Sequence, residues 1–250
     1  MNDLVSIITP TYNSAEFIEE TIESVQRQTH KNWEMLITDD CSTDQTVDLI
    51  KKFVQSDNRI KLYQLKENAG SAVARNNSIQ VAKGKYHAFL DADDIWLDFH
   101  LNDSIQAIKK NQCPFVFASY KRSDEKLNFV YSDFIVPDKV DYTQILKTNS
   151  ISCLTAFVDV EALGKELMPL VRKRQDMGLW LKYLKKSGYA IGIKKTHAIY
   201  RIRENSLSRD KKKLIKSQWY FYRKIEGLGL ISSLYYLLCW MWLGYKKYKS

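Results

Sequence analysis

Along the first hundred residues, short runs of consecutive apolar side chains alternate with stretches where apolar positions recur every three or four residues. The first pattern suits strands buried on both faces and the second suits helices with one buried stripe, so the chain predicts βαβ units feeding a mainly parallel sheet. Leu4 to Thr9 reads as the first strand. Asn13 and Ser14 are placed to cap a helix whose inner face carries Ile18, Ile22 and Val25, and Met35 to Thr38 is the second strand. Val47, Ile50 and Val54 mark a second helix and Lys61 to Leu65 a third strand. Ala72 to Lys83 is a third helix closed by Gly84, and Tyr86 to Leu90 a fourth strand. Residues 1–100 thus read as a nucleotide-binding-like α/β half.

Beyond it the pattern changes. Leu97, Leu101, Ile105 and Ile108 predict one more helix, and Phe115 to Tyr120 with Phe129 to Phe134 predict two antiparallel strands joined by a charged turn. Met177, Trp180, Leu181 and Leu184 follow the spacing of an amphipathic helix that ends near Gly188. No linker or internal repeat interrupts this body before about residue 205, so 1–205 is read as one domain with a second half over 101–205, followed by a tail over 206–250. In that tail Lys211, Lys212, Lys213 and Lys216 precede a segment, Gly227 to Tyr245, that carries no charge. As a helix it would extend roughly 28 Å, close to a bilayer's hydrocarbon thickness, but glycines and serines dilute it. With Trp240, Trp242 and the lysines that follow, attachment to a membrane surface is the favoured expectation, ahead of a buried or dimerising helix and of a true span.

Composition narrows the class. A hydrophobic content of 45% with 27% charged residues excludes disorder, collagen and a small disulfide scaffold. Cys41, Cys113, Cys153 and Cys239 stand far apart, which suggests neither a zinc cluster nor a disulfide framework and fits a reducing compartment. The start of the chain has no basic stretch and only a short apolar run, so a cytoplasmic start is expected. Charge is uneven: residues 1–100 carry a net −6 and residues 101–250 a net +15. A basic second part suits anionic lipid, nucleic acid or a phosphorylated substrate, and does not by itself choose among them.

In an open parallel sheet, ligands bind outside the carboxyl ends of the strands. There the sequence places Thr9 to Asn13, Asp39 to Asp44 and Asp91 to Asp94. Asp44 and Asp94 are read as caps or turn formers. Asp91 and Asp93 lie at i and i+2, which in an extended segment face the same side. Two such charges about 4 Å apart repel by roughly 4 kcal/mol at an effective dielectric of 20, a penalty that a divalent cation reverses. Carboxylates suit Mg²⁺ or Mn²⁺, which commonly bridge protein to substrate phosphates. No glycine-rich dinucleotide or P-loop motif occurs, which argues against nicotinamide redox chemistry and P-loop hydrolysis. Tyr12 could offer a flat face to a base and Asp40 could accept from a base N–H, although either could equally be structural.

The stretches VSIITPTYN, ITDDCSTD, the run from Asn68 to Asn76, FLDADD and Arg174-Gln175-Asp176 resemble the inverting family 2 glycosyltransferases of GT-A fold. The pattern is most similar to bacterial enzymes that build surface polysaccharides such as teichuronic acid, O-antigen and capsule. Similarity covers almost the whole chain, including Tyr200-Arg201, Asn205 to Ser208 and the aromatic tail. The resemblance implies that Pro10, Thr11, Tyr12 and Asp40 contact uridine, that Gly70 and Arg75 line the nucleotide side, and that Asp91, with Ala92 beside it, meets ribose or metal. It further implies Asp93 as the direct ligand of Mn²⁺ or Mg²⁺ and Asp176 as general base. Family members more often carry Glu-Asp where this chain has Gln175-Asp176, and many carry a histidine near Arg203. Arginine does not ligate a cation but clamps phosphate, which makes Arg201 or Arg203 a candidate grip on the leaving group.

The resulting expectation is metal-dependent, inverting transfer of one sugar from a nucleotide-sugar, a UDP-sugar by resemblance, to a lipid-diphosphate-linked or oligosaccharide acceptor. The enzyme is expected at the cytoplasmic side of the bacterial inner membrane, held there by its tail, with 101–205 as the acceptor half. A nucleotidyltransferase, or a non-catalytic protein that binds sugar nucleotides at a membrane, stands as the alternative. Nucleic acid is not expected as a partner, because the acidic first half would repel its phosphates. Nothing in the sequence indicates an oligomeric state.

Overall fold

The structure, a computed structural model, describes residues 3–129, 131–202 and 211–247. Its strands are β1 (Val5–Thr11), β2 (Trp33–Asp39), β3 (Ile60–Gln64), β4 (Tyr86–Phe89), β5 (Ile95–Trp96), β6 (Phe115–Ser123), β7 (Lys139–Asp141), β8 (Phe157–Asp159) and β9 (Tyr189–Arg201). They join in one sheet in the order β3-β2-β1-β4-β8-β6-β9-β5, with β7 also on β9. β3, β2, β1 and β4 run parallel, whereas β8 is antiparallel to both β4 and β6. A parallel block thus continues into a mixed one, and the expected α/β architecture is the one observed.

Alternation along the strands separates two cores. Ile8, Leu36, Phe89, Phe115 and Phe117 face one side, while Val5, Ile7, Met35, Ile37, Ala88 and Val116 face the other. On the second side lie α1 (Ile18–Gln26), α2 (Thr46–Ser56) and α4 (His100–Asn111), which bury Ile22, Ile50 and Leu101. On the first lie α3 (Ser71–Val81), α5 (Tyr142–Lys147), the short α6 (Val160–Leu163) and α7 (Gln175–Ser187), whose Trp180 contacts Phe89 edge-on. Burial on both faces is why these strands read as continuous apolar runs.

Several local expectations are corrected. Among the described residues of Phe129 to Phe134 no strand forms: β9 occupies one edge of β6 and β8 the start of the other, Phe134 makes a single bridge to Tyr120, and Phe129 and Tyr131 are exposed. Asn13 and Ser14 do not cap α1 with their side chains. Asn13 has φ of +47° and its Oδ1 accepts from the Thr43 N–H, while Ser14 offers α1 its carbonyl. Leu97 precedes α4, because Ile95 and Trp96 are drawn into pairing with β9. Gly84 lies beyond the end of α3, and its role is close approach: a Cβ there would stand 2.6 Å from the Ser6 nitrogen.

After the undescribed 203–210, the chain continues as α8 (Lys211–Tyr220), a π-helical turn (Phe221–Ile225) and α9 (Leu230–Lys247). Phe221 and Tyr222 are buried in the same core as Trp180, so this segment is docked onto the body. α9 packs Tyr236 and Leu237 inward, and leaves Leu230, Ile231, Leu234, Tyr235, Leu238, Met241 and Trp242 exposed in a stripe at helical spacing. Among the described residues no helix is long and apolar enough to cross a membrane.

Candidate functional site

Because β1, β2 and β4 are parallel neighbours, their carboxyl ends open on one rim. Pro10 and Thr11 are buried at the end of β1, with Thr11 in register with Asp39, and the next residue, Tyr12, is half exposed. The acidic groups here are heavily engaged. Asp39 accepts from the N–H and hydroxyl of Ser42, and Asp44 accepts from Thr46 and from the Ala15 N–H. Asp40 accepts from the backbone N–H of Ala69 at 2.7 Å and of Gly70 at 2.8 Å, one on each oxygen. It therefore fastens the loop ahead of α3, a duty the sequence did not disclose. Gly70 has φ of +91° and ψ of 159°, a conformation open in practice to glycine alone, although no neighbour would meet a Cβ there.

Arg75 lies one turn into α3 and is buried. Its Nη2 donates to Asp91 Oδ1 at 2.5 Å, while Nε has no partner. Burial opposes its charge, but the fields of Asp91, Cys153 and Asp176 outweigh burial and raise its pKa. Asp91 to Asp94 forms a turn closed by the Asp94 N–H on the Asp91 carbonyl at 3.2 Å. Asp91 and Asp93 thus lie in a turn and not in an extended strand, a correction to the sequence argument, and only Asp91 of the two lines the cavities described below. Ala92 is buried in that turn, and its carbonyl accepts from Thr21 Oγ1 at 3.0 Å. Asp94 accepts the Arg201 N–H at 3.0 Å, as a structural member should. Burial, followed by the charges of Asp93 and Asp91, pushes the Asp94 carboxyl well up. Three carboxyl groups therefore feel one another in one small volume.

Across the cleft stands Asp176 in the first turn of α7. Arg174 at φ of +69° breaks the chain direction just before it, and Asn149 Nδ2 donates to Asp176 Oδ2 at 3.3 Å. Gln175 Nε2 donates to Ser71 Oγ at 2.6 Å and so ties α7 to α3. Two adjoining cavities, about 320 and 370 Å³, are both lined by Asp91, Asp176, Cys153 and Tyr200. The first adds the stacked pair Tyr120 and Phe134, whose ring centroids are 5.0 Å apart. Burial pushes the Tyr200 hydroxyl up, assisted by Asp94, Asp91 and Asp93. Burial likewise pushes the Cys153 thiol well up, against the pull of Arg75.

One expectation fails here. Arg201 lies on β9 next to Tyr200, and neighbours on a strand face opposite sides. Tyr200 takes the cleft, and the Arg201 guanidinium pairs with Glu20 of α1, over the ring of Phe17. It is not placed to clamp a leaving group in either cavity. Arg203 lies outside the described residues. Sequence reasoning missed Asn149, Cys153, Tyr120 and the basic run Arg172-Lys173-Arg174. The signals available were the polar, aperiodic stretch 148–152 and three consecutive cations directly ahead of Gln175-Asp176.

Among the described residues no group of three or more His, Cys, Asp or Glu side chains is arranged to hold a metal by itself. The residues present nonetheless fit a divalent cation. Asp91 and Asp93 are hard oxygen donors whose charges already burden Asp94, and Mg²⁺ or Mn²⁺ ordinarily completes its shell with water and phosphate oxygens. The arrangement is chemically two-sided, with a carboxylate cluster for a shielded diphosphate on one wall and an open carboxylate for a proton on the other.

Comparison with known proteins gives the same direction. Residues 6–158 match the model of Glycosyl transferase family 2. A putative teichuronic acid biosynthesis glycosyltransferase of Bacillus subtilis is 39% identical over 98% of this chain and 95% of its own length. An Escherichia coli UDP-Glc:alpha-D-GlcNAc-diphosphoundecaprenol beta-1,3-glucosyltransferase is 37% identical over 98% and 95%. Among solved structures, Staphylococcus aureus TarS 1-349 in complex with UDP-GlcNAc superposes with a TM-score of 0.73 at 22% identity, covering 95% of this chain and 71% of that one.

Proposed function

Because the chain belongs to glycosyl transferase family 2, we propose that it moves one sugar from a UDP-sugar to a diphospholipid-linked acceptor, with inversion, during assembly of a bacterial surface polysaccharide. The observation that carries this reading is that Asp91 and Asp176, from distant parts of the chain, line the same cavities. The Escherichia coli relative's name supplies the donor and acceptor classes, and the Bacillus subtilis relative's name the class of polysaccharide. The departing diphosphate would lie on the side of Asp91 and the acceptor hydroxyl on that of Asp176.

Pro10, Thr11 and the exposed ring of Tyr12 form the floor for a nucleoside, and Asp40 keeps Gly70 and α3 in place beside it. Arg75 orients Asp91 and keeps a positive charge under the diphosphate. Asp91 and Asp93 would hold Mn²⁺ or Mg²⁺, which when bound neutralises charge on the diphosphate. Asp176 accepts the proton of the acceptor hydroxyl as that oxygen attacks the anomeric carbon from the face opposite the diphosphate. One displacement converts an α-linked donor into a β-glycoside.

The tail supports a place at the cytoplasmic face of the inner membrane. α9 presents seven large apolar side chains to solvent on one face, with Trp242 among them, and basic residues surround it in sequence. It suits a helix that lies along a surface. Ile231→Glu combined with Leu238→Glu should move the protein from sedimenting with anionic vesicles to remaining in the supernatant. Unchanged sedimentation would remove the tail as anchor.

The catalytic reading is tested with Asp176→Asn and a panel of UDP-sugars with Mn²⁺ and a GlcNAc-diphospholipid acceptor. Transfer should collapse in the variant while calorimetric UDP binding persists. A variant that transfers as the parent does would remove Asp176 as general base, and absence of transfer by the parent would favour the non-catalytic alternative.

A further inference from the structure

The segment from Pro169 to Gln175 stands between two clefts of different character. One is the 370 Å³ cavity that contains Arg75, Asp91, Asp176 and Tyr200. The other, about 330 Å³, is lined by Leu170, Val171, Ser217, Tyr220 and Phe221. Arg172 and Lys173 line both. Cations thus sit where a polar, catalytic cavity meets an apolar one, and nothing in the sugar transfer itself requires the second.

We propose that this junction is the binding site for the acceptor's lipid diphosphate. The diphosphate would sit on Arg172 and Lys173, and the first isoprenyl units would occupy the cleft formed by Leu170, Val171, Tyr220 and Phe221. The inference rests on the diphospholipid acceptor proposed above.

Charge selects this occupant. The catalytic rim holds Asp91, Asp93, Asp94 and Asp176, which repel a second diphosphate brought in with the acceptor. Arg75 is already committed to Asp91 at 2.5 Å. Arg174 is turned to the ring of Trp240, 5.4 Å from its centroid, and burial lowers its pKa despite Asp176 nearby. Arg172 and Lys173 are the cations that line both cavities, and Arg172 is exposed. Guanidinium and ammonium groups together give the charge-assisted contacts that phosphate oxygens favour.

The apolar cleft fits the remainder of the ligand. Leu170 is 72% exposed and Tyr220 53% exposed, large apolar surface left uncovered beside the cations. Its wall is rigid: a Cβ on Gly178 would come within 2.5 Å of the Pro169 ring and 3.3 Å of the Phe221 ring, so α7, Pro169 and the π-helical turn are in close contact. Through Trp240 the same segment touches α9, whose outer stripe faces solvent. A hydrocarbon chain leaving the cleft therefore starts beside the element suited to lie on lipid. A bare sugar or a free nucleotide has no use for this apolar half.

Farnesyl diphosphate is a short probe of that chemistry. Its binding to the full chain is measured by calorimetry with saturating UDP and Mn²⁺, so that the donor's diphosphate site is filled. The expected result is binding at least tenfold tighter than that of inorganic pyrophosphate or farnesol. Arg172→Ala with Lys173→Ala should weaken it at least tenfold. Leu170→Ser, a change at an exposed position, should weaken farnesyl diphosphate about threefold or more and leave pyrophosphate as in the parent. Equal binding of farnesyl diphosphate and pyrophosphate, no binding of farnesyl diphosphate while UDP is saturating, or parental affinity in both variants overturns the site. A separate assay follows transfer by the parent enzyme to a GlcNAc-diphosphoprenol. Absence of product there contradicts the acceptor reading, whereas the calorimetry reports on the cleft alone.

Discussion

On the donor side of the cleft, four acidic side chains at strand ends are already held by neighbours: Asp39 by Ser42, Asp40 by Ala69 and Gly70, Asp44 by Thr46 and Ala15, and Asp91 by Arg75. On the acceptor side, among the described residues, Asp176 receives one hydrogen bond at 3.3 Å, from Asn149. The first rim holds its carboxylates with backbone N–H groups, hydroxyls and the Arg75 guanidinium, which presets the shape proposed to receive the nucleotide. The second leaves its carboxylate accessible, as the proposed proton acceptor must be. The same contrast separates the acidic first hundred residues from the basic remainder, where cations and exposed aromatics gather around α7, α8 and α9.

The comparison is broken most severely by removing the accessible carboxylate. Asp176→Asn should lower kcat about 10³-fold, the scale of a lost general base, with the KM for the UDP-sugar nearly unchanged, in a steady-state assay of released UDP. A parallel loss of UDP affinity would mean that Asp176 belongs to the donor rim. Asp93→Asn should cost about 10²-fold and shift the Mn²⁺ requirement to higher concentration, and excess EDTA should abolish transfer by the parent. Full activity in EDTA would remove the cation from the donor wall.

Acid supplies a control away from both rims. Burial, opposed by Asp103 and assisted by Lys195, lowers the pKa of His197 to about 4, and its Nδ1 lies 3.2 Å from that of His100. A histidine kept neutral in the folded chain binds its proton more readily when unfolded. Its stabilising contribution is therefore intact above about pH 6.5 and falls by about 3 kcal/mol as pH drops toward 4. Urea unfolding between pH 7 and 4 should show this slope added to those of His87 and His100, whose burial also lowers their pKa values, and His197→Gln should reduce the total loss without abolishing it.

Smaller effects sharpen the donor side. Asp40→Ala removes two backbone contacts and should cost about 2 kcal/mol of stability and raise the donor KM several-fold, while the acceptor KM stays within twofold. Gly70→Ala should cost about 1–2 kcal/mol through its backbone conformation alone, visible as a lower Tm with little change in kcat. If either substitution acted mainly on the acceptor KM, the division into a preset donor rim and an open acceptor rim would be wrong.

Much of this was legible in the sequence, for physical reasons that also explain the failures. The first four strands and α7 were readable because strands buried on both faces and a helix with one buried face impose periods on the chain. The rim followed from the rule that ligands meet the carboxyl ends of parallel strands. Phe129 to Phe134 carried a strand-like pattern but found no edge long enough to pair with, since β8 and β9 already flank β6. Arg201 looked like a phosphate clamp until its strand neighbour Tyr200 took the cleft. Asp91 and Asp93 were read by strand alternation, whereas they lie in a turn that period-two reasoning does not describe. Asn149 was invisible as a site residue because only the tertiary fold carries it to Asp176, whereas Arg172 and Lys173 stand beside Asp176 in the sequence and only their place between two cavities was hidden.

The central claim is that a single displacement occurs between the Asp91 wall and Asp176. Its most direct test is the anomeric configuration of the product, read as the H1–H2 coupling constant in the proton NMR spectrum after transfer from an α-linked UDP-glucose. Single displacement predicts a β-glycoside with the large diaxial coupling. An α-linked product, with the small coupling of retained configuration, would contradict the account.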